Sequence, residues 1–82
     1  MKRVPKTKQR HRNLTGRAIQ RIRMATAPKI TQEDMVGRMA RQGIQINQSQ
    51  VAKIESGGRP ILDYELAAIA KALKVPVQAF FD

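Results

Sequence analysis

The sequence predicts an all-α domain, a compact bundle of five short helices, and three observations predict it. Apolar residues recur at three- and four-residue spacing through most of the chain. Asn, Thr and Asp stand just before those runs, and Gly or Pro just after them, where helices start and stop. No segment reads as a convincing strand. The 82 residues make one domain, and with 41% hydrophobic residues, 4% aromatic and no Trp its core must be built from Ile, Leu, Val, Met and Ala. There are no cysteines, so neither disulfides nor thiolate zinc sites can staple it. A small domain without staples depends on well-packed helices.

Residues 1–13 hold Val4 as their one core-forming aliphatic, among Lys, Arg, Gln and Thr with Pro5. Burial cannot offset the ordering entropy of such a segment, so it reads as a disordered basic arm preceding a domain at 14–82. From Leu14 the pattern turns helical, with Leu14, Ala18, Ile22 and Ala25 on one stripe, Ile19 beside them, and Asn13 or Thr15 as the cap. Pro28 disfavours helical backbone at the residue before it and closes the first helix. Thr31 caps the second, with Asp34 three residues on in a capping box, Ile30 poised to staple on Met35, and Met35 and Met39 inward with Val36 or Ala40. Gly43 is its stop. Asn47 caps a third helix to Ser56, with Gln50 at its third position and Val51 and Ile54 to bury; Gly57-Gly58 ends it. Asp63 is the cap expected for a fourth helix, where Leu66, Ile69, Ala70 and Leu73 keep helical spacing. Pro76 suits the first position of a fifth, with Val77, Phe80 and Phe81 as its apolar face.

Charge narrows the function. The net charge is +10. It lies in residues 1–29, which hold ten basic residues and no acid, while residues 30–82 hold six of each sign. The six cations of the arm are Lys2, Arg3, Lys6, Lys8, Arg10 and Arg12. So one-sided a distribution points to a polyanionic partner. His11 is the one histidine and lies in the arm, so no metal site and no His-based catalysis are expected. Glu33, Asp34, Asp63 and Glu65 stand at helix starts, where capping and the helix dipole explain them. No Gly-rich phosphate loop is present, no cofactor is expected and the chain does not read as an enzyme. No apolar run approaches a membrane span and no signal-peptide pattern follows the N-terminus, so the expected location is cytoplasmic, on the nucleoid.

Helices two and three carry the functional pattern. A capped helix, a glycine-containing turn and a short helix with one polar face make a helix-turn-helix. A helix that enters the major groove needs an apolar stripe to dock on its own domain, and amides and cations on the other face to reach base edges. Gln48, Ser49 and Lys53 suit that face. Here the chain resembles the phage-repressor/Cro-like, or XRE-type, helix-turn-helix family, whose fold is that of the lambda-repressor-like DNA-binding domain. The carriers are Gly16 with Ile19-Gln20-Arg21-Ile22-Arg23, Ile30-Thr31-Gln32-Glu33-Asp34-Met35, Val51-Ala52-Lys53-Ile54-Glu55-Ser56-Gly57 and Pro60, and the run Glu65 to Val75. Two spans are longer than in the family: the loop between helices one and two, and Met39 to Val51, where an extra turn on helix two and a longer connection are expected and Arg41 or Gln45 becomes a further candidate for DNA contact.

The resemblance implies a binder of double-stranded DNA, a transcriptional regulator and more specifically a repressor, working as a homodimer on a pseudo-palindrome with half-sites about one helical turn apart. It implies base contacts from Gln48, Ser49 and Lys53. It implies backbone contacts from Gln32, which also braces the first base-reading side chain, and from Asn47, Gly57, Gly58 and Arg59. It implies an ion pair between Arg23 and Glu55. Val77, Phe80 and Phe81 are candidates for the dimer contact, unless one of them packs in the core. Two other readings fit the sequence: an antitoxin on the same fold, which also engages a protein toxin, and a basic RNA-binding protein.

Overall fold

The computed structural model describes residues 4–81, with side chains from Thr15 onward. The elements run α1 (Val4–Ala25), α2 (Gln32–Arg41), α3 (Gln48–Ser56), α4 (Asp63–Leu73) and a C-terminal 3₁₀ helix (Val77–Phe81). No strand occurs among the described residues. α3 is held between α1 and α2, α4 lies against α2 and α1, and the 3₁₀ helix closes over α1 and the end of α4.

Local chemistry sets the helix ends. At α2 the Thr31 hydroxyl accepts the Asp34 N–H and the Asp34 carboxylate accepts the Thr31 N–H, both at 3.0 Å. Hydrogen bonding by Thr31, from its backbone N–H first and its side chain second, holds the Asp34 carboxyl below its ordinary value. Asn47 and Gln50 make the same reciprocal pair at the start of α3, at 2.8 and 2.9 Å. Each satisfies two backbone donors that a helix start otherwise leaves unpaired. α2 ends in a Schellman turn: the N–H of Gly43, at φ 84°, reaches Ala40 O and that of Ile44 reaches Met39 O. Along residues 42–47 the side chains of Ile44 and Ile46 turn inward while Gln45 stays exposed, which pins this connection to the core.

One apolar cluster joins all the elements. Ile19, Met35, Met39 and Phe80 are its most deeply buried large side chains, with Ile30, Ile46, Val51, Ile54, Ile69 and Leu73 around them. Gly16 sets how closely α1 and α3 approach. A Cβ there would lie 2.5 Å from Ile54 O and 2.6 Å from Glu55 O, and these are backbone atoms that cannot rotate aside.

The structure corrects the sequence reading in four places. The first helix starts at Val4, not at Asn13 or Thr15. Lys, Gln and Arg are good helix formers, Pro5 sits in the first turn where it is tolerated, and the packed part of α1 supplies the nucleus on which they add. Met1, Lys2 and Arg3, and the side chains of Lys6, Lys8, Arg10 and Arg12, lie outside the described residues. Ala25, on the periodic stripe, is exposed; of the pair Val36 and Ala40, Val36 is half-buried and Ala40 exposed. α4 is capped at Leu62 rather than Asp63, with the Glu65 carboxylate accepting the Leu62 N–H at 3.0 Å. The fifth helix is a single 3₁₀ stretch, too short to close a regular α-helical ladder. Within it Phe80 is the one of the three candidates that packs in the core, as the sequence left open, while Val77 and Phe81 are exposed.

Gly16 gives a test in which two effects oppose. Helix propensity alone favours Gly16→Ala by about 1 kcal/mol. The clash with α3 forces the helices apart, an overpacking that costs typically 1–3 kcal/mol or more. Because the clashing atoms are backbone, the clash is expected to win, and Gly16→Ala is expected to melt below the wild type. A variant that melts higher would show that α1 and α3 do not approach this closely.

Candidate functional site

α3 divides its residues by face. Val51, Ile54 and Glu55 are buried, and Ser49, Lys53 and Ser56 are exposed on the opposite side of the helix; Gln48, exposed in the first turn, stands on the same stripe as Glu55, toward Gln32. Asn47, at the cap, is exposed as well; its Oδ1 is taken by the Gln50 N–H. The result is a short amide, hydroxyl and ammonium surface on a helix anchored from behind.

The anchor is a polar cluster at the junction of α1, α2 and α3. Arg23 and Glu55 form a fork-to-fork pair, Nε to Oε2 at 2.7 Å and Nη2 to Oε1 at 2.9 Å, with 7% and 3% of the two side chains exposed. Arg23 Nη1 donates to Ile30 O at 2.8 Å, and the Ile30 N–H returns to Arg23 O at 3.2 Å. The α1–α2 loop is thereby tied at one point by side chain and main chain together. Glu55 Oε1 also accepts from Gln32 Nε2 at 3.0 Å, and Gln32 Oε1 lies 3.4 Å from Gln48 Nε2, a long contact. A continuous chain therefore runs from the buried guanidinium through Glu55 and Gln32 to the exposed amide of Gln48. Among the described residues no buried side-chain nitrogen or oxygen is left without a partner, as burial of charged groups requires.

The loop after α3 uses its polar groups internally. Gly57 takes the left-handed conformation at φ 86°, and the N–H groups of Gly57 and Gly58 reach Ile54 O and Lys53 O at 3.2 and 2.8 Å. Arg59 lays its fork on Glu65, Nη1 to Oε1 at 3.1 Å and Nη2 to Oε2 at 2.9 Å. Neither the two glycine N–H groups nor the Arg59 fork is therefore idle. Glu65 is buried, although its position at a helix start reads as an ordinary acidic first turn. The Arg59 bond holds its carboxyl below the ordinary 4.5, against the opposing effect of burial, and the Leu62 N–H adds to the depression. Sequence reasoning also missed Arg38, whose Nη1 donates to Ala72 O at 2.9 Å and links α2 to the end of α4; only the approach of the two helices reveals it.

The structure thus brings Arg23, Gln32, Gln48 and Glu55 into one cluster, with Ser49, Lys53 and Asn47 on the same helix. Arg59 stands apart on Glu65, and Arg41 lines a cleft with Lys29 and Lys74 to which α3 contributes nothing. Among the described residues there is no group of His, Asp and Glu able to hold a metal ion, and no helix long and apolar enough to cross a membrane. No protein-family model, curated protein or solved structure matches the chain.

The Arg59–Glu65 pair makes a pH prediction. A carboxyl whose folded value is depressed stabilises the fold above its unfolded value, and that contribution is lost as pH falls through the folded one. Wild type and Glu65→Gln are therefore expected to differ in urea midpoint at about pH 7 and to converge progressively as pH falls below the ordinary carboxyl value of 4.5. A gap that stays constant over that range would show that Glu65 does not titrate with folding.

Proposed function

We propose that this protein is a sequence-specific binder of double-stranded DNA, a helix-turn-helix transcriptional regulator made of α2, the connection 42–47 and α3. It acts as a repressor, as a homodimer on a pseudo-palindromic operator. The observation that supports this reading best is the exposed face of α3, where Gln48, Ser49 and Lys53 stand together on a helix fixed by its buried side. Amides and ammonium groups are the side chains that discriminate bases by their major-groove edges. Gln48, held by Gln32, enters the groove pre-oriented. Asn47 and Gln32 flank it at the phosphates, and the +10 charge supplies the non-specific attraction. Val77 and Phe81 are the exposed apolar residues left for a dimer contact.

Selection from random duplex DNA, with structured RNA as competitor at matched salt, tests the reading. An enriched palindromic site that RNA does not displace is expected; retention on RNA would favour the RNA-binding reading, and co-purification with a toxin the antitoxin reading. On the selected site Gln48→Ala is expected to relax the preference at one base position and to cost about 1–3 kcal/mol. Affinity for random duplex is expected to stay level, because phosphate contacts carry it. Specific and random affinities falling together would make Gln48 a backbone contact and overturn the register of α3.

A further inference from the structure

A second cationic surface lies beyond α3. A cleft of about 370 Å³ opens between the α1–α2 loop, α2 and the end of α4. Lys29, Arg38, Arg41 and Lys74 line it, with Ile30 and a single carboxylate, Asp34. Asp34 is already engaged by the Thr31 N–H, and Arg38 is fastened to the wall by its bond to Ala72 O. Lys29, Arg41 and Lys74 are exposed. Among the described residues the salt bridges are Arg23–Glu55 and Arg59–Glu65, so none of these three cations is paired with a described carboxylate.

Helix dipoles account for part of the cluster. Arg38 and Arg41 stand in the last turn of α2, where cations are favoured. They do not account for Lys29, which belongs to a loop, nor for the backbone of Lys74. Lys74 closes α4 at φ 59° and ψ 43°, in the left-handed region. Its N–H bonds to Lys71 O and that of Val75 bonds to Ala70 O, a Schellman turn whose left-handed position glycine would fill without strain. Non-glycine residues held in that region gather at ligand clamps and similar functional sites. Here the strained residue is a lysine on the wall of a basic cleft whose volume is within the range of small-molecule sites, roughly 300–1,000 Å³.

We propose that this cleft binds a phosphate group, carried either by a small phosphorylated compound or by a nucleic-acid backbone. A guanidinium offers parallel N–H groups to two phosphate oxygens, and lysines add mobile point charges around them. Four cations from three separate segments then converge on one oxyanion. No residue of α3 lines the cleft, so a response here in the pyrophosphate arm stands whether or not α3 reads an operator.

The test is an amide NMR titration of the full chain with pyrophosphate in one arm and a short random-sequence duplex in the other. Saturable shifts are expected at Lys29, Arg38, Arg41 and Lys74 in at least one arm, and the responding arm identifies the source of the phosphate. Arg41→Gln, at an exposed position, and Lys74→Gly are each expected to weaken that binding about tenfold, the effect of losing one charge-assisted contact. Lys74→Gly is also expected to melt above the wild type, so that lost binding cannot be attributed to lost fold. No saturable shift at these residues in either arm would overturn the proposal. So would shifts spread equally over Arg17, Arg21 and Lys53 and indifferent to both substitutions.

Discussion

A guanidinium buried among aliphatic side chains tolerates few arrangements, and Arg23 is buried at the point where three helices meet. Taking two such charges out of water costs several kcal/mol per ion, and mutual attraction offsets this only when the geometry is close and the remaining hydrogen-bonding groups are satisfied. Glu55 meets both conditions, with two contacts under 3 Å and a further bond from Gln32. A well-packed apolar pair of similar volume would hold the helices together as firmly. What the ion pair adds is direction: it fixes the rotation of α3, since Glu55 must face Arg23, and that rotation leaves Gln48, Ser49 and Lys53 outward. Gly16 fixes the separation of the same two helices. Distance and rotation of α3 are thus determined by a few groups on α1, none of them on the exposed face.

This arrangement separates the work of the two faces. The buried face of α3 carries the fold, through Val51, Ile54 and Glu55; on the exposed side the side-chain bonds are the contact of Gln48 with Gln32 and the Ser56 hydroxyl on Lys53 O. Substitutions on the exposed face can therefore alter what is bound without unfolding the domain, which is what a surface that discriminates among ligands requires. The loop after α3 behaves differently. Gly57, Gly58 and Arg59 bond within the domain, and Arg59 with Glu65 braces the entry into α4.

What was legible in the sequence was local. Thr31 with Asp34, and Asn47 with Gln50, are reciprocal caps whose partners sit three residues apart, and Gly43 and Gly57 mark helix ends because left-handed backbone suits glycine. The apolar spacing of α2, α3 and α4 needed nothing beyond helical periodicity. What was hidden depended on the path of the chain. Leu62 caps α4 without any polar side chain, because Glu65 reaches back to its N–H, and Asp63 looked the better cap. Arg59 meets Glu65 only because residues 60–62 turn back between them. The left-handed Lys74 left no trace at all, since nothing in its neighbours asks for a lysine there. The start of α1 was misplaced because helix propensity without an apolar stripe gives no periodic signal.

The account stands on the buried pair, and replacing one carboxylate by its amide tests it most directly. Glu55→Gln keeps the shape of the side chain but leaves Arg23 buried without an anion. Melting of this variant beside Glu65→Gln, in which the guanidinium left behind is the more exposed Arg59, separates a pair that fixes the fold from one that braces a loop. Loss of one partner of a buried pair costs about 3–5 kcal/mol, and each kcal/mol lowers the melting temperature of a domain of this size by roughly 4–8 °C. The account predicts a fall of that order for Glu55→Gln and a clearly smaller one for Glu65→Gln. A fall of less than about 2 °C for Glu55→Gln would contradict it, because Arg23 would then be solvated and α3 oriented by its apolar face alone.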